Sequence, residues 1–197
     1  MTVIGITGPT GSGKTTALKV LQKRGFEIVD CDRLYDRLLD SDNVLRESLR
    51  KAFGEIFLSD GKLDRKALAA KVFGDKAELD KLNTIVFPVI YDAVAEKIAK
   101  STQKGLAIDA INLVECKLGQ LCDVTVAITA DPAVRLGRIM ARDKIDEARA
   151  KARIAAQKPD KFYRKNCNFF LENRAGSSAE FERLMEDFMD NILFMEE

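Results

Sequence analysis

The fold of this chain is most constrained by one segment near its start, where an apolar strand runs into a glycine-rich loop and then a helix. Val3, Ile4 and Ile6 form the predicted strand, and a helical pattern follows from residue 14 to about residue 23. The loop between them reads Gly8-Pro9-Thr10-Gly11-Ser12-Gly13-Lys14-Thr15. This is a complete G-x-x-x-x-G-K-[ST] motif in the strand–loop–helix context that it requires. The segment therefore predicts a polyphosphate-binding loop at one edge of a sheet.

The loop predicts which groups would contact a nucleotide. Successive backbone N–H groups would point at the phosphates, and the helix N-terminus adds the positive end of its dipole. Lys14 is expected to reach the β- and γ-phosphates of ATP, and the Thr15 hydroxyl to ligate Mg²⁺. The predicted nucleotide-binding residues are Gly11, Ser12, Gly13, Lys14, Thr15 and Thr16. The alternative is a plain glycine-rich turn with an exposed lysine.

Strand and helix patterns alternate along the rest of the chain. Further apolar strands are predicted at residues 26–29, 106–108, 124–128 and 169–171. Residues 35 to about 98 read as largely helical, with breaks at Gly54, Ser59-Asp60-Gly61, Gly74 and Pro88. Apolar strands separated by helices predict an α/β fold, a parallel sheet of about five strands with helices on both faces. The long helical stretch is an insertion into this phosphate-loop fold.

The charge and the residue types present exclude several functions. The chain has 197 residues, no histidine and a formal net charge of +1. Without histidine there is no Ser-His-Asp triad, no imidazole base and no histidine metal site. The balanced charge argues against a nucleic-acid partner. The absence of a signal-like N-terminus or a long apolar run predicts a cytoplasmic protein with no membrane segment.

Carboxylates and arginines are the remaining candidates for chemistry. The second strand ends at Asp30-Cys31-Asp32, and the third ends at Asp109. Ligands bind at the carboxyl ends of strands in such sheets, so Asp32 is the predicted base for an acceptor hydroxyl. Helix capping is the competing role for Asp32, and Asp30 is expected to be structural or metal-linked. Asp109 is a candidate second carboxylate near the metal, with a plain strand-end aspartate as the alternative.

A basic helical region suggests a lid over the nucleotide. Its arginines are Arg135, Arg138, Arg142, Arg149 and Arg153. Arg138 and Arg142 share a helix face at i, i+4, and guanidinium groups can bind charge developing on a transferred phosphoryl group. These two are the predicted lid arginines, with a solvated basic face as the alternative.

The order of these motifs closely resembles the dephospho-CoA kinase family. The matching segments extend over roughly residues 3–176 and are Gly5-Ile6-Thr7-Gly8 with the loop, Gly25 to Asp32, Asp60-Gly61-Lys62-Leu63-Asp64-Arg65, Lys71-Val72-Phe73, Leu82-Asn83-Thr84-Ile85, Leu113-Val114-Glu115, Arg138 to Asp143, and Arg153-Ile154-Ala155-Ala156-Gln157. The chain departs from the family at Phe87-Pro88, where His-Pro is usual, and at Ile111-Asn112-Leu113, where Pro-Leu-Leu is usual.

The resemblance implies a P-loop kinase that uses ATP and Mg²⁺ to phosphorylate the ribose 3′-hydroxyl of dephospho-CoA, the last step of CoA biosynthesis. It implies a core of residues 1–34, 104–134 and 167–197, a helical acceptor region of about 35–103 and a lid of about 138–166. Lys14, Asp32, Arg138 and Arg142 are the implied catalytic residues, and Asn173 lies near the family's turn beside the adenine.

Two alternatives remain open from the sequence. One is a P-loop kinase of another small hydroxyl compound, a nucleoside or a sugar. The other is a catalytically idle nucleotide-binding module. A monomer is the default expectation for the oligomeric state.

Overall fold

The computed structural model describes residues 1–72 and 74–193. Phe73 of the matched Lys71-Val72-Phe73 segment and residues 194–197 of the predicted core lie outside the described residues. The chain divides into two compact units, one of residues 1–29 with the chain from residue 102 onwards, the other of residues 30–101. No helix among the described residues is long and apolar enough to cross a membrane.

The first unit is built around a five-stranded sheet. Its strands are β1 (Thr2–Thr7), β2 (Phe26–Asp30), β3 (Gly105–Asp109), β4 (Val124–Thr129) and β5 (Phe169–Glu172). Their order is β2-β3-β1-β4-β5, and β1 lies parallel to both β3 and β4, as does β4 to β5. All five predicted strands are present, and the predicted α/β phosphate-loop fold is confirmed.

Helices follow the strands of this unit. They are α1 (Lys14–Lys23), α6 (Pro132–Asp143), α7 (Glu147–Ala155), α8 (Asp160–Asn166) and α9 (Ser178–Leu193), with α2 to α5 in the second unit. Ile4 and Ile6 of β1 belong to an apolar cluster that includes Leu21 of α1 and Phe181 of α9. A Cβ at Gly5, between them on the other face, would meet Leu113 and Cys122 at 2.8 Å. The central strand is therefore covered on both faces.

The final helix is part of the core. Phe181, Met185 and Met189 of α9 are buried against the sheet cluster. Ion pairs tie the same helix to the end of α1, with Lys23 to Glu182 at 2.8 Å and Arg24 to Asp190 at 2.6 Å. This docking fixes α1, and with it the loop that precedes it.

Four helices are present among the described residues of the second unit. These are α2 (Cys31–Ser41), α3 (Asn43–Phe53), α4 (Arg65–Val72) and α5 (Lys76–Lys100). Leu45 and Leu49 of α3 are almost fully buried, as is Val94 of α5, and the two helices pack together. The helix breaks predicted around Gly54, Gly61 and Gly74 are present.

The predicted break at Pro88 is wrong, because α5 continues through it. Proline removes one backbone hydrogen bond and clashes with the preceding turn, which costs about 3 kcal/mol. The buried side chains Val86, Ile90 and Val94 lie four residues apart on one face of α5. Each contributes about 1.5–3 kcal/mol on burial, so their sum outweighs the cost of the proline.

Candidate active site

Glycine is required at several points of the phosphate loop between β1 and α1. Gly8, Gly11 and Gly13 have φ values of 132°, 82° and 113°. A Cβ at Gly8 would lie 2.0 Å from the carbonyl oxygen of Ile128, and one at Gly13 would lie 2.5 Å from Asn173 Nδ2. Both the backbone conformation and the close approach of neighbouring atoms therefore exclude larger residues.

The start of α1 is suited to an anion. The helix begins at Lys14 behind Gly13, which supplies no side-chain cap, and its first turn carries no acidic residue. The positive end of the helix dipole is thus left without a carboxylate of its own. Thr15 is exposed in this first turn, and the Thr16 hydroxyl lies 3.3 Å from that of Ser178. The arrangement fits a nucleotide polyphosphate.

Three successive carbonyls of the loop are each held by a side chain from far along the chain. The pairs are Arg135 Nε to Thr10 O at 3.0 Å, Arg138 Nη1 to Gly11 O at 3.2 Å, and Asn173 Nδ2 to Ser12 O at 2.8 Å. In a trans peptide the carbonyl and the following N–H point in opposite directions. Holding the carbonyls of Thr10 and Ser12 therefore directs the next N–H groups, those of Gly11 and Gly13, away from these side chains.

The side chain of Lys14, the predicted phosphate-binding lysine, bonds to carbonyls of the phosphate loop that precedes it. Lys14 Nζ donates to Gly8 O at 2.7 Å and to Pro9 O at 3.3 Å. Together with Arg138, which also approaches Ser12 O at 3.5 Å, it brings two cationic side chains to the loop. Ser12 itself is fully buried, and its hydroxyl has no hydrogen-bond partner among the described residues.

The two predicted lid arginines have different surroundings. Arg138 contacts the loop, whereas Arg142 makes two hydrogen bonds to the adjacent Asp143 at 2.7 and 3.0 Å. Arg153 of α7 binds the same carboxylate. The hydrogen bond from Arg142 is the main reason why the pKa of Asp143 is lowered. The structure thus places Arg138, and not Arg142, on the loop.

The two aspartates after β2 differ in role. Asp30 is the N-cap of α2, because its Oδ1 accepts the backbone N–H of Arg33 at 2.9 Å. Asp32 is the second residue of α2 and is exposed. The capping function considered for this pair therefore falls to Asp30. Both residues belong to the unit of residues 30–101.

Asn173 is buried beside the loop. It is 5% exposed, its backbone N–H donates to Thr129 O at 2.7 Å, and its Oδ1 accepts from Ala175 N at 3.2 Å. Its Nδ2 donates to Ser12 O, as described above. The observed contacts make Asn173 a support of the phosphate loop, and its predicted place beside an adenine ring stays a prediction.

Two residues that contact Thr10, Gln157 and Arg135, are not among the site residues predicted from the sequence. Gln157 follows α7, and its side chain bonds both the backbone N–H and the hydroxyl of Thr10. Arg135 binds the Thr10 carbonyl and is 5% exposed, and burial lowers the pKa of its guanidinium. Arg135 shares a face of α6 with the loop-binding Arg138, and that i, i+3 spacing is the signal that could have revealed it.

The structure offers limited protein ligands for a metal. Among the described residues, no group of three or more cysteine or carboxylate side chains is placed to hold an ion. The Thr15 hydroxyl is one suitable hard oxygen ligand. Asp109, at the end of β3, pairs in register with Ile6, just before the loop. Hydroxyl and carboxylate oxygens of this kind fit Mg²⁺.

A cavity of about 400 Å³ lies elsewhere in the first unit. Its lining includes Thr125 at the start of β4 and Asn168 just before β5. These are the opposite strand ends from the one that leads into the phosphate loop. The candidate active site is thus the loop and its surroundings, and not this cavity.

Comparisons with known proteins agree with the geometry. A sequence model of dephospho-CoA kinase matches residues 2–180. A dephospho-CoA kinase from Fusobacterium nucleatum is 31% identical over 96% of this chain and 98% of its own length. A solved protein from Thermus thermophilus, 29% identical, superimposes with a TM-score of 0.80 over 98% of this chain and 97% of its own. A shikimate kinase from Acinetobacter baumannii, 17% identical with a TM-score of 0.55 over 98% of this chain and 93% of its own, shares the fold alone.

The parallel sheet, the glycine-constrained loop and its two cations define the protein as a P-loop kinase, a class that takes phosphate from ATP. Within that class, the match of residues 2–180 to the dephospho-CoA kinase model identifies the family. The chain belongs to the dephospho-CoA kinase family. The family and the enzyme class predicted from the sequence are confirmed.

Proposed function

We propose that this protein transfers the γ-phosphoryl group of ATP to the ribose 3′-hydroxyl of dephospho-CoA, giving CoA and ADP. The observation that carries the proposal is the family match over residues 2–180. The loop supports it, since Lys14 and Arg138 stand on a glycine-constrained cradle at an uncapped helix start. Both cations are retained where a phosphate would bind.

In the proposed reaction, Asp32 accepts the proton of the acceptor hydroxyl. The freed oxygen forms a bond to the γ-phosphorus while the bond between that phosphorus and the β–γ bridging oxygen breaks, and ADP leaves. Lys14, Arg138 and Arg142 stabilise negative charge on the transferred group, and one arginine in such a role contributes about 10³–10⁵ in rate in related enzymes. A proton-accepting side chain contributes about 10²–10⁴.

The proposal assigns Mg²⁺ to the Thr15 hydroxyl, where the bound ion would neutralise charge on the phosphates. It assigns the acceptor to residues of about 35–103 and the lid to about 138–166. It places Asn173 near the adenine. We further propose a cytoplasmic monomer that acts on a small molecule and has no nucleic-acid partner.

The test compares Asp32→Asn with Asp40→Asn, a second exposed aspartate on the same helix α2. CoA formation from dephospho-CoA and ATP is measured by chromatography, with adenosine and a sugar panel as competing acceptors. We expect wild-type turnover of dephospho-CoA, a loss of about 10²–10⁴ in kcat for Asp32→Asn, and near wild-type kcat for Asp40→Asn.

Equal kcat in the wild type and Asp32→Asn would reject Asp32 as the base. Turnover of a nucleoside or sugar but not of dephospho-CoA would replace the proposed acceptor. Tight ATP binding with no transfer to any acceptor would identify an idle nucleotide-binding module.

A further inference from the structure

Thr10 is the loop residue whose three polar groups are all bound by side chains from beyond the loop. Arg135 Nε donates to its carbonyl at 3.0 Å, Gln157 Oε1 accepts its backbone N–H at 3.2 Å, and Gln157 Nε2 donates to its hydroxyl at 2.7 Å. The partners lie 125 and 147 residues further along the chain. Thr10 is thereby anchored to α6 and to the turn after α7.

The two anchoring side chains also bind each other. Arg135 Nη2 donates to Gln157 Oε1, so the three residues form a closed network. Arg135 is 5% exposed, and burying an arginine is costly unless its N–H groups find partners. Here those partners are the loop carbonyl and the Gln157 amide. Arg135 is thus a buried cation that binds a single loop residue, which indicates that the backbone of Thr10 must be placed accurately.

Because peptide groups are planar, the hydrogen bonds to Thr10 also orient the neighbouring groups of the loop that are proposed to bind phosphate. The Thr10 carbonyl shares a rigid plane with the Gly11 N–H, so the Arg135 hydrogen bond fixes the direction of that N–H. The Thr10 N–H shares a plane with the Pro9 carbonyl, which accepts from Lys14 Nζ at 3.3 Å. Gln157 therefore fixes a carbonyl that positions the lysine. Neither Arg135 nor Gln157 needs to touch a phosphate to control both groups.

We propose that Arg135 and Gln157 are positioning residues that set the affinity of the loop for the diphosphate part of the nucleotide by fixing the two peptide groups on either side of Thr10. The inference rests on the proposed function, since it assigns them to the ATP half of that reaction. They act through the loop and make no contribution to acceptor binding.

Gln157→Leu and Arg135→Met are the test variants, each with a matched control. Gln120→Leu changes an exposed glutamine outside the loop, and Arg183→Met changes an exposed arginine of α9. The dissociation constant of ADP is measured by calorimetry, and the KM values for ATP and dephospho-CoA by steady-state kinetics. We expect both test variants to weaken ADP and raise the KM for ATP about tenfold, with the KM for dephospho-CoA unchanged within about twofold.

Two milder variants keep the test decisive if the larger changes unfold the protein. Thr10→Val removes only the hydroxyl bonded by Gln157, and we expect about threefold weaker ADP binding. Arg135→Lys keeps the charge but lacks the planar fork that reaches Thr10 O and Gln157 together. Its ADP affinity should fall like that of Arg135→Met. Full recovery of affinity by lysine would overturn positioning in favour of charge alone.

Folded variants that bind ADP with the wild-type dissociation constant would overturn the proposal, even if their melting temperatures fall, because that pattern describes a purely structural role. An equal rise in both KM values would also overturn it. ADP binding requires no acceptor. If the wild type fails to turn over dephospho-CoA, the proposed function falls while the calorimetric result still decides the role of Arg135 and Gln157.

Discussion

The helices of this protein begin in two different ways. In the unit of residues 30–101, Asp30, Asp42 and Asp75 cap α2, α3 and α5 by accepting backbone N–H groups of the first turn. In the unit that contains the sheet, Asp131 and Asp146 cap α6 and α7 in the same way, but α1 begins behind Gly13 with no side-chain cap. A capping carboxylate satisfies the same N–H groups that a phosphate would use and adds repulsive charge. The contrast indicates that the start of α1 is reserved for an external anion.

The two regions also differ in the span of their polar contacts. Each aspartate cap joins residues two or three apart, whereas the bonds from Arg135 and Asn173 to the loop join residues more than 100 apart. The hydrogen bonds of a local cap depend little on substitutions elsewhere in the chain. The loop is held by several distant segments at once, so we expect substitutions in the loop to lower the free energy of unfolding more than the loss of a cap does.

Comparison of Gly8→Ala with Gly54→Ala should give the largest effect. Gly54 has a φ of 70° but nothing within 4 Å of an added Cβ, so we expect a loss of about 1–3 kcal/mol from backbone strain. Gly8 adds a 2.0 Å approach to Ile128 O, and we expect a loss above about 4 kcal/mol or no folded protein. Urea unfolding measures both. Equal losses would remove the distinction between the regions.

Removal of a cap should give a smaller effect. Asp75 Oδ1 accepts from Ala77 N at 2.8 Å and Glu78 N at 3.2 Å, and Asp75→Ala should cost about 1 kcal/mol of unfolding free energy. Asp92→Ala, in the exposed middle of the same helix, is the control and should change stability by less than about 0.5 kcal/mol. A larger loss of ADP affinity than of stability would contradict a purely local role for the cap.

The smallest expected effect is the pH dependence of the ion cluster at Asp143. The hydrogen bond from Arg142 lowers the pKa of this carboxyl in the folded protein. Its contribution is therefore present above the unfolded pKa of about 3.9 and is lost as pH falls through the lower folded value.

Thermal unfolding of the wild type and Asp143→Asn checks this prediction at two pH values. The wild type should melt slightly higher at pH 7, and the difference should shrink as the pH falls below about 3.9. A melting difference that does not shrink as the solution is made more acidic would show that the loss comes from packing and not from the carboxylate charge. Because the cluster is exposed, high salt should also shrink the difference.

The sequence was sufficient for those parts of the fold that depend on local pattern. The strands, the loop and the bounds of α1 follow from apolar periodicity and glycine placement. Pro88 was misread because its effect depends on how much apolar surface the helix buries on either side, which a local breaker rule does not weigh. The capping role of Asp30 was among the alternatives, and the hydrogen bond to Arg33 selects it.

The network around Thr10 was beyond the sequence for a different reason. Arg135 was one of five arginines in a basic stretch, and although its i, i+3 spacing from Arg138 puts the two on one helix face, nothing local shows that Arg135 is buried. Gln157 was part of a recognised segment, but its target is a backbone group 147 residues away. Side-chain to backbone contacts of this range leave no mark in the target residue type, since every residue has a carbonyl. Only the folded structure reveals them.

The docking of α9 on α1 has a consequence for synthesis. β1 leaves the ribosome about 100 residues before its neighbour β3, and α9, the helix that fixes α1, follows α1 by about 150 residues. Residues 30–101 meet their packing partners early, because α2 to α5 contact one another. A nascent chain therefore carries its loop sequence long before it can bind a nucleotide, and nucleotide affinity arises only after α9 has been made.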